Sequence, residues 1–314
     1  MSKSKALCGR GTLVSAVASR AATKGSVSAD VPELTTSRTM RPGPEEANPV
    51  RFRQRRRRVE LALAWVAPII FVLSWELASR ASVVNPTYFP APSTVWGTAV
   101  DLLREDTIQH HLWISLKRVL TGFALGVISG TLVGIVMGLS RKVQAALDGL
   151  LTALYMVPKL AILPLLLLIF GLGETPKIFM IAITIFFFMW LTTMAAFVSL
   201  PAGYDEAARS FGASRIQRLR HVDFPAALPA IFVGLRLNIG VAMLVVVSVE
   251  FVSSSDGIGW LIWNSWTLLA AAQMYAGIIA VSITGVVLTL IVRFIGKAVL
   301  PWTRSTSGDA PAPF

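Results

Sequence analysis

The sequence predicts an all-α protein that crosses a membrane about six times. Composition is the first reason. Hydrophobic residues make up 54% of the 314 and charged residues only 15%, with a mean hydropathy of +0.65. A water-soluble chain carries roughly a quarter charged residues, so this apolar excess requires a non-aqueous surrounding. The second reason is length: apolar runs of the roughly 20 residues needed to cross a hydrocarbon core recur along the chain. The third is the placement of Lys and Arg, which alternates between successive connecting segments.

The spans fall near 60–79, 119–139, 147–171, 177–199, 230–252 and 274–296, the third interrupted by Pro158 and Pro164. One set of connections carries Arg141 and Lys142, then Arg209, Arg215, Arg218 and Arg220, then Lys297 and Arg304. The alternate set, around 172–176 and 253–273, carries no Lys or Arg. The long segment 80–118 breaks the pattern, its Arg80, Arg104, Lys117 and Arg118 being offset by Asp101, Glu105 and Asp106. Basic loops stay inside, which predicts a multi-pass membrane protein with both termini cytoplasmic.

Residues 1–58 read as a disordered basic cytoplasmic tail, rich in Ser, Ala, Thr, Arg and Pro, without an apolar run to pack or to serve as a secretory signal. The acid-free stretch up to Ala29 has a transit-peptide composition, and an unstructured extension is the simpler reading. The tail ends in the basic run Arg51 to Arg58, directly before the first span. Much of the net charge of +12 lies here and at span ends, a placement that suits a membrane face and not a nucleic acid. Cys8 is the lone cysteine, which excludes a disulfide within one chain.

Within the second span, Gly122, Gly126, Gly130, Gly134 and Gly138 recur every fourth residue. Overlapping GxxxG steps let two backbones approach closely in lipid, so this helix is internal to a bundle. The partner is another helix of the same chain or a second subunit, the former being favoured.

Between the fourth and fifth spans, Glu206-Ala207-Ala208-Arg209-Ser210-Phe211-Gly212-Ala213-Ser214 runs on to Val222-Asp223-Phe224-Pro225. Two short helices are expected. The first ends at Gly212, suited to a left-handed C′ position. The second starts at Ser214, with Gln217 three residues on completing a capping box, and stops before Pro225. Ala207, Ala208 and Phe211 give the first helix a small apolar face beside a basic helix bearing Arg215, Arg218 and Arg220. A compact knob of this kind is more than the short irregular connector usual between helices.

The Glu-Ala-Ala pattern, with Gly four residues after the second Ala and an aliphatic-x-apolar-Pro ending, resembles the cytoplasmic signature of binding-protein-dependent ABC importer permeases. Val222-Asp223-Phe224-Pro225 stands where that family usually has Ile-x-Leu-Pro. Phe89 to Trp96, Ser115 to Phe123, Val157 to Pro164, Phe170 to Glu174 and Gly234 to Leu237 resemble the nitrate/sulfonate/taurine branch, and the likeness covers about residues 60 to 300. The resemblance implies a type I ABC importer permease fold. It divides the chain into a tail (1–58), a first transmembrane helix with its outer segment (59–108), a transmembrane permease domain (109–300) with a coupling loop at 200–229, and a disordered C-terminal tail (301–314). It implies that Glu206, Ala207, Ala208, Phe211 and Gly212 dock an ATP-binding cassette subunit, where ATP and magnesium would sit. An extracytoplasmic solute-binding protein, a second copy of the chain and membrane lipid are the other implied partners, and the implied cargo is a small anion such as an aliphatic sulfonate, taurine or nitrate.

A charge inside a span costs about 2.5–3.5 kcal/mol on insertion scales and calls for a partner or a use. Lys159, between the two prolines of the third span, either faces the pathway and attracts an anion or pairs structurally. Arg236 lies near the cytoplasmic end of its helix, within reach of the interface, where it snorkels. Asn238 and Glu250 share that helix and either line a cavity or bridge to a neighbour.

No catalytic or metal-binding residues are expected. There is no G-x-x-x-x-G-K-[ST] loop, no H-E-x-x-H and no G-x-S-x-G. His110 and His111 suit an interfacial helix better than a metal site. The alternatives to a permease are a membrane scaffold and an intramembrane enzyme, the second of which would need paired catalytic residues at membrane depth.

Overall fold

The computed structural model describes residues 49–306, and the expected disorder of both tails beyond them lies outside the described residues. The chain divides into two units, Met1–Ala64 and Trp65–Phe314. Among the described residues, the first unit contains only the beginning of helix α1 (Pro49–Arg80). The second continues with α2 (Pro92–Arg104), α3 (Thr107–Leu139), α4 (Arg141–Met156), a 3₁₀ turn (Lys159–Ile162), α5 (Leu163–Phe170) and α6 (Thr175–Val198). Then come α7 (Ala202–Ser210), α8 (Arg215–Arg218), a π turn (Leu219–Asp223), α9 (Phe224–Ser253), α10 (Ile258–Thr267), α11 (Ala271–Val299) and a final 3₁₀ segment (Pro301–Thr306). No strand occurs among the described residues.

Among the described residues, five helical runs are long and apolar enough to cross a membrane, and the pair α4 and α5 makes a sixth crossing if taken as one broken span. That pair is bent by 84°. Pro158 precedes the 3₁₀ turn and Pro164 sits in the first turn of α5, where the missing N–H leaves no hydrogen bond unmade.

The centre of the second unit is α3 against α6. All five stripe glycines face α6 of the same chain. A β-carbon on Gly126 would lie 2.5 Å from the Ala182 carbonyl oxygen, and one on Gly130 2.5 Å from that of Phe186. Gly122, Gly134 and Gly138 would each clash with a β-carbon on α6, at Ile181, Thr193 and Phe197. Around this seam Val119, Ile185, Met189, Ile239, Met243, Val246 and Leu288 form the main core, drawn from α3, α6, α9 and α11. A second cluster joins α2, α3, α10 and α11 through Val95, Leu102, Ile108, Ile258, Leu261 and Ala276. By contrast, α4 has no buried residue.

Four boundaries differ from expectation. The first described residue, Pro49, is already helical, so the basic run joins helix α1; Arg is a good helix former. The segment 80–118 holds α2 and the first three turns of α3, because its polar residues are spread along amphipathic helices. The supposed loop 253–273 contains α10, whose ten residues are too short for a span yet bury Ile258, Leu261 and Ile262. Finally, helix continues through Pro225, which occupies the first turn of α9 after a π turn, so the coupling loop passes into the next span without a break. The start of the C-terminal tail, at 301–306, is 3₁₀.

Candidate functional site

The knob between α6 and α9 is built from local signals. Gly212 has φ of 75°. Its N–H donates to the Arg209 carbonyl at 2.9 Å and that of Ala213 to Ala208 at 3.1 Å, the paired bonds of a Schellman motif. Two residues on, the Gln217 N–H donates to Ser214 Oγ at 3.3 Å while the Ser214 N–H donates to Gln217 Oε1 at 2.9 Å, a closed capping box. Asp205 ties the pieces together by pairing with Arg209 at 2.6 Å and with Arg218, which also reaches Asp223 at 3.4 Å. Of the expected docking residues, Ala208 is buried in the knob, while Glu206, Ala207, Phe211 and Gly212 are exposed. Phe211 is 91% exposed, and Ile216, which sequence reasoning passed over because it stands alone among polar residues, is 78% exposed. The turn thus holds two large apolar side chains outward, an exposure that calls for an explanation.

Lys159 sits at the break of the third span, half buried. Its ammonium donates to the Tyr155 carbonyl and lies 4.5 Å from the Tyr155 ring centroid and 5.0 Å from that of Phe187. These partners are uncharged; no carboxylate pairs with it among the described residues. Asn238 is buried and bridges helices, its Nδ2 donating to Met189 Sδ on α6 at 3.2 Å. Glu250 is fully buried and also bridges, to α3. The three candidate pathway residues therefore do not meet in one cavity in this conformation.

Glu250 belongs to a cluster that sequence reasoning missed. Arg118 is 1% exposed, and all five of its N–H groups find acceptors. Nε and Nη2 grip the Glu174 carboxylate side-on at 2.6 Å each. Nη1 donates to Glu250 at 2.7 Å and to the Asp256 carbonyl at 2.9 Å, and Nη2 also pairs with the Asp256 carboxylate. Glu250 additionally accepts from Ser115 Oγ at 2.7 Å and from the Gly259 N–H at 2.8 Å. Lys177 reaches Glu174 at 2.9 Å and Ser254 at 3.1 Å. Gly257, with φ of 103°, closes the turn; a β-carbon there would fall on the Glu250 carboxylate. Arg118 is thus not a loop charge but a buried hub fastening α3 to the segments before α6 and after α9. A lone carboxylate at Glu250, deep in an apolar run, was the signal that such a cation had to exist.

The two loop carboxylates respond electrostatically. The Arg118 hydrogen bond holds the Glu174 carboxyl down from an ordinary 4.5 to about 2, against the upward push of burial and with help from Lys177. For Asp256, burial pushes upward, but the bond to Arg118 outweighs it and the carboxyl ends below its ordinary value.

Comparison with known proteins matches residues 124–305 to a family described as binding-protein-dependent transport system inner membrane component. The Bacillus subtilis (strain 168) protein SsuC, named for aliphatic sulfonates transport as a permease protein, is 33% identical over 262 residues, covering 83% of this chain and 95% of that protein. The taurine transport system permease protein TauC of Escherichia coli (strain K12) is 33% identical over 251 residues, covering 78% and 90%. Among solved structures, an inward-facing MetNI methionine ABC transporter chain superposes with a TM-score of 0.52 at 20% identity, over 60% of this chain and 92% of that one, a likeness of fold.

Proposed function

Because the chain belongs to the family of binding-protein-dependent transport system inner membrane components, we propose that it forms the pathway of an ATP-driven importer for a small anion of the sulfonate or taurine kind, with nitrate as the other member of that class. In this reading the chain hydrolyses no ATP. A separate ATP-binding cassette subunit, carrying ATP and magnesium, docks on the knob, and an extracytoplasmic binding protein delivers the cargo. Two copies of the chain flank the pathway, with both termini on the cytoplasmic side of the inner membrane.

The observation that carries this reading is the knob and its attachment. Phe211 and Ile216 project from a turn locked by Gly212 and the Ser214–Gln217 box, and the helical run Arg215–Ser253 leads from that turn across the bundle. A displacement imposed on the knob is carried along the run to Asn238 and Glu250, which bond it to α6 and α3. Lys159 supplies positive charge at the broken span, and its uncharged partners leave that charge uncompensated for a passing anion.

The test is reconstitution of the chain with its ATPase and binding protein in proteoliposomes, following labelled taurine, an alkanesulfonate and nitrate. ATP-dependent accumulation of one of these, absent when either partner is omitted, is expected. An assembled complex that hydrolyses ATP but moves none of the three would overturn the cargo class, and accumulation without the ATPase would overturn the importer reading.

A further inference from the structure

At the end of the bundle bearing the knob, a cavity of about 330 Å³ lies between α9 and α11. Its walls are of two kinds. Pro229, Phe232, Val233, Val292 and Leu300 supply apolar surface, and Arg236, Arg293 and Lys297 supply cations. No carboxylate lines it among the described residues. We propose that this cavity binds the phosphate headgroup of one anionic phospholipid of the cytoplasmic leaflet, with its glycerol and upper acyl carbons against the apolar wall.

Four features favour this occupant. Arg293 and Lys297 are one turn apart on α11, so both project from one face toward Arg236 on α9. Arg supplies planar paired donors and Lys a point charge, which together suit a tetrahedral oxyanion. The surface around the cavity is lipid-facing: Leu237, Phe294 and Ile295 are at least half exposed, as side chains in contact with acyl chains are. Lys297 lies in the last turn of α11, at headgroup depth for a span of this length. Basic pockets between helices at a cytoplasmic interface attract anionic lipid, each Lys or Arg near the surface contributing roughly fivefold to affinity.

The inference rests on the chain's placement in a membrane and not on the solute carried, so its failure leaves the transport reading untouched. The full chain, purified in neutral detergent, is offered phosphatidylglycerol and phosphatidylcholine in equal amounts, and retained lipid is counted by native mass spectrometry. One phosphatidylglycerol per chain, preferred about tenfold or more, is expected. Arg293→Gln with Lys297→Gln should bring that preference to near parity, and Arg293→Lys with Lys297→Arg should keep most of it. If the Gln pair fails to fold, the wild-type preference and its loss with Arg236→Gln alone decide the matter. Equal retention of the two lipids by wild type overturns the proposal. So does full displacement by millimolar inorganic phosphate, which would make free phosphate the ligand. A Gln pair that changes oligomeric state while wild type shows no lipid preference would make the face a subunit contact instead.

Discussion

Gly212 illustrates how one backbone angle sets a functional surface. Its φ of 75° lies in the left-handed region, and a β-carbon there would meet nothing within 4 Å. A substitution therefore fails by conformation and not by collision, and left-handed geometry costs ordinary residues about 1–2 kcal/mol, more if β-branched. Gly212→Val should insert normally yet lose ATP-driven uptake, whereas Gly212→Asn, which tolerates this region, should keep a substantial part. Equal uptake by the Val variant and wild type would separate the knob from coupling. Lys159 poses the complementary residue-scale question. Its partners are a carbonyl and two rings, so Lys159→Met strands no opposite charge. We expect a melting temperature close to wild type with severalfold lower anion uptake, both measured on one purified variant. Unchanged flux would remove Lys159 from the pathway, and a collapse in stability would assign it to the fold.

At the scale of elements, the seam between α3 and α6 brings two helix backbones into direct contact. With carbonyl oxygens of α6 only 2.5 Å from the β-carbon positions of Gly126 and Gly130, no side chain fits without separating the helices. Gly130→Leu should abolish monodisperse protein in detergent, while Gly149→Leu on α4, where nothing lies within 4 Å, should be recovered at normal yield. Comparable yields for the two would show that the seam yields readily. The periodicity of the stripe was legible in the sequence because a four-residue repeat is a local property. That its partner is α6, and that α10 folds between two spans, was not. Those facts depend on which apolar faces meet.

For the whole molecule, the Arg118 cluster fastens segments about 140 residues apart in sequence, and its exposed carboxylates give stability a pH signature. Glu174 is depressed in the folded state from 4.5 to about 2. Its contribution is therefore complete above about 4.5 and is lost as pH falls through that window toward 2. Asp256, also lowered, acts in the same sense. The melting temperature of the purified chain should be flat from neutral pH to near 5 and decline below 4.5. Glu174→Gln should start lower and decline less. A wild-type fall already complete above pH 5 would point to other groups.

Sequence alone determined the membrane class, the approximate number of spans, the glycine stripe and the turn chemistry at Gly212 and Ser214. Each of these is written in composition or in spacings of a few residues, where hydropathy, helical period and capping act without reference to the rest of the chain. Tertiary structure decided what the charges do. Arg118 read as a loop residue because its three carboxylate partners are scattered at Glu174, Glu250 and Asp256, and only the antiparallel return of α9 along α3 and α6 brings them within 3 Å. The same packing bridged Glu250 and Asn238 to neighbouring helices and set Arg236 beside Arg293 and Lys297. A buried charge announces in sequence that a partner must exist; which residue that is depends on contacts between segments far apart in the chain.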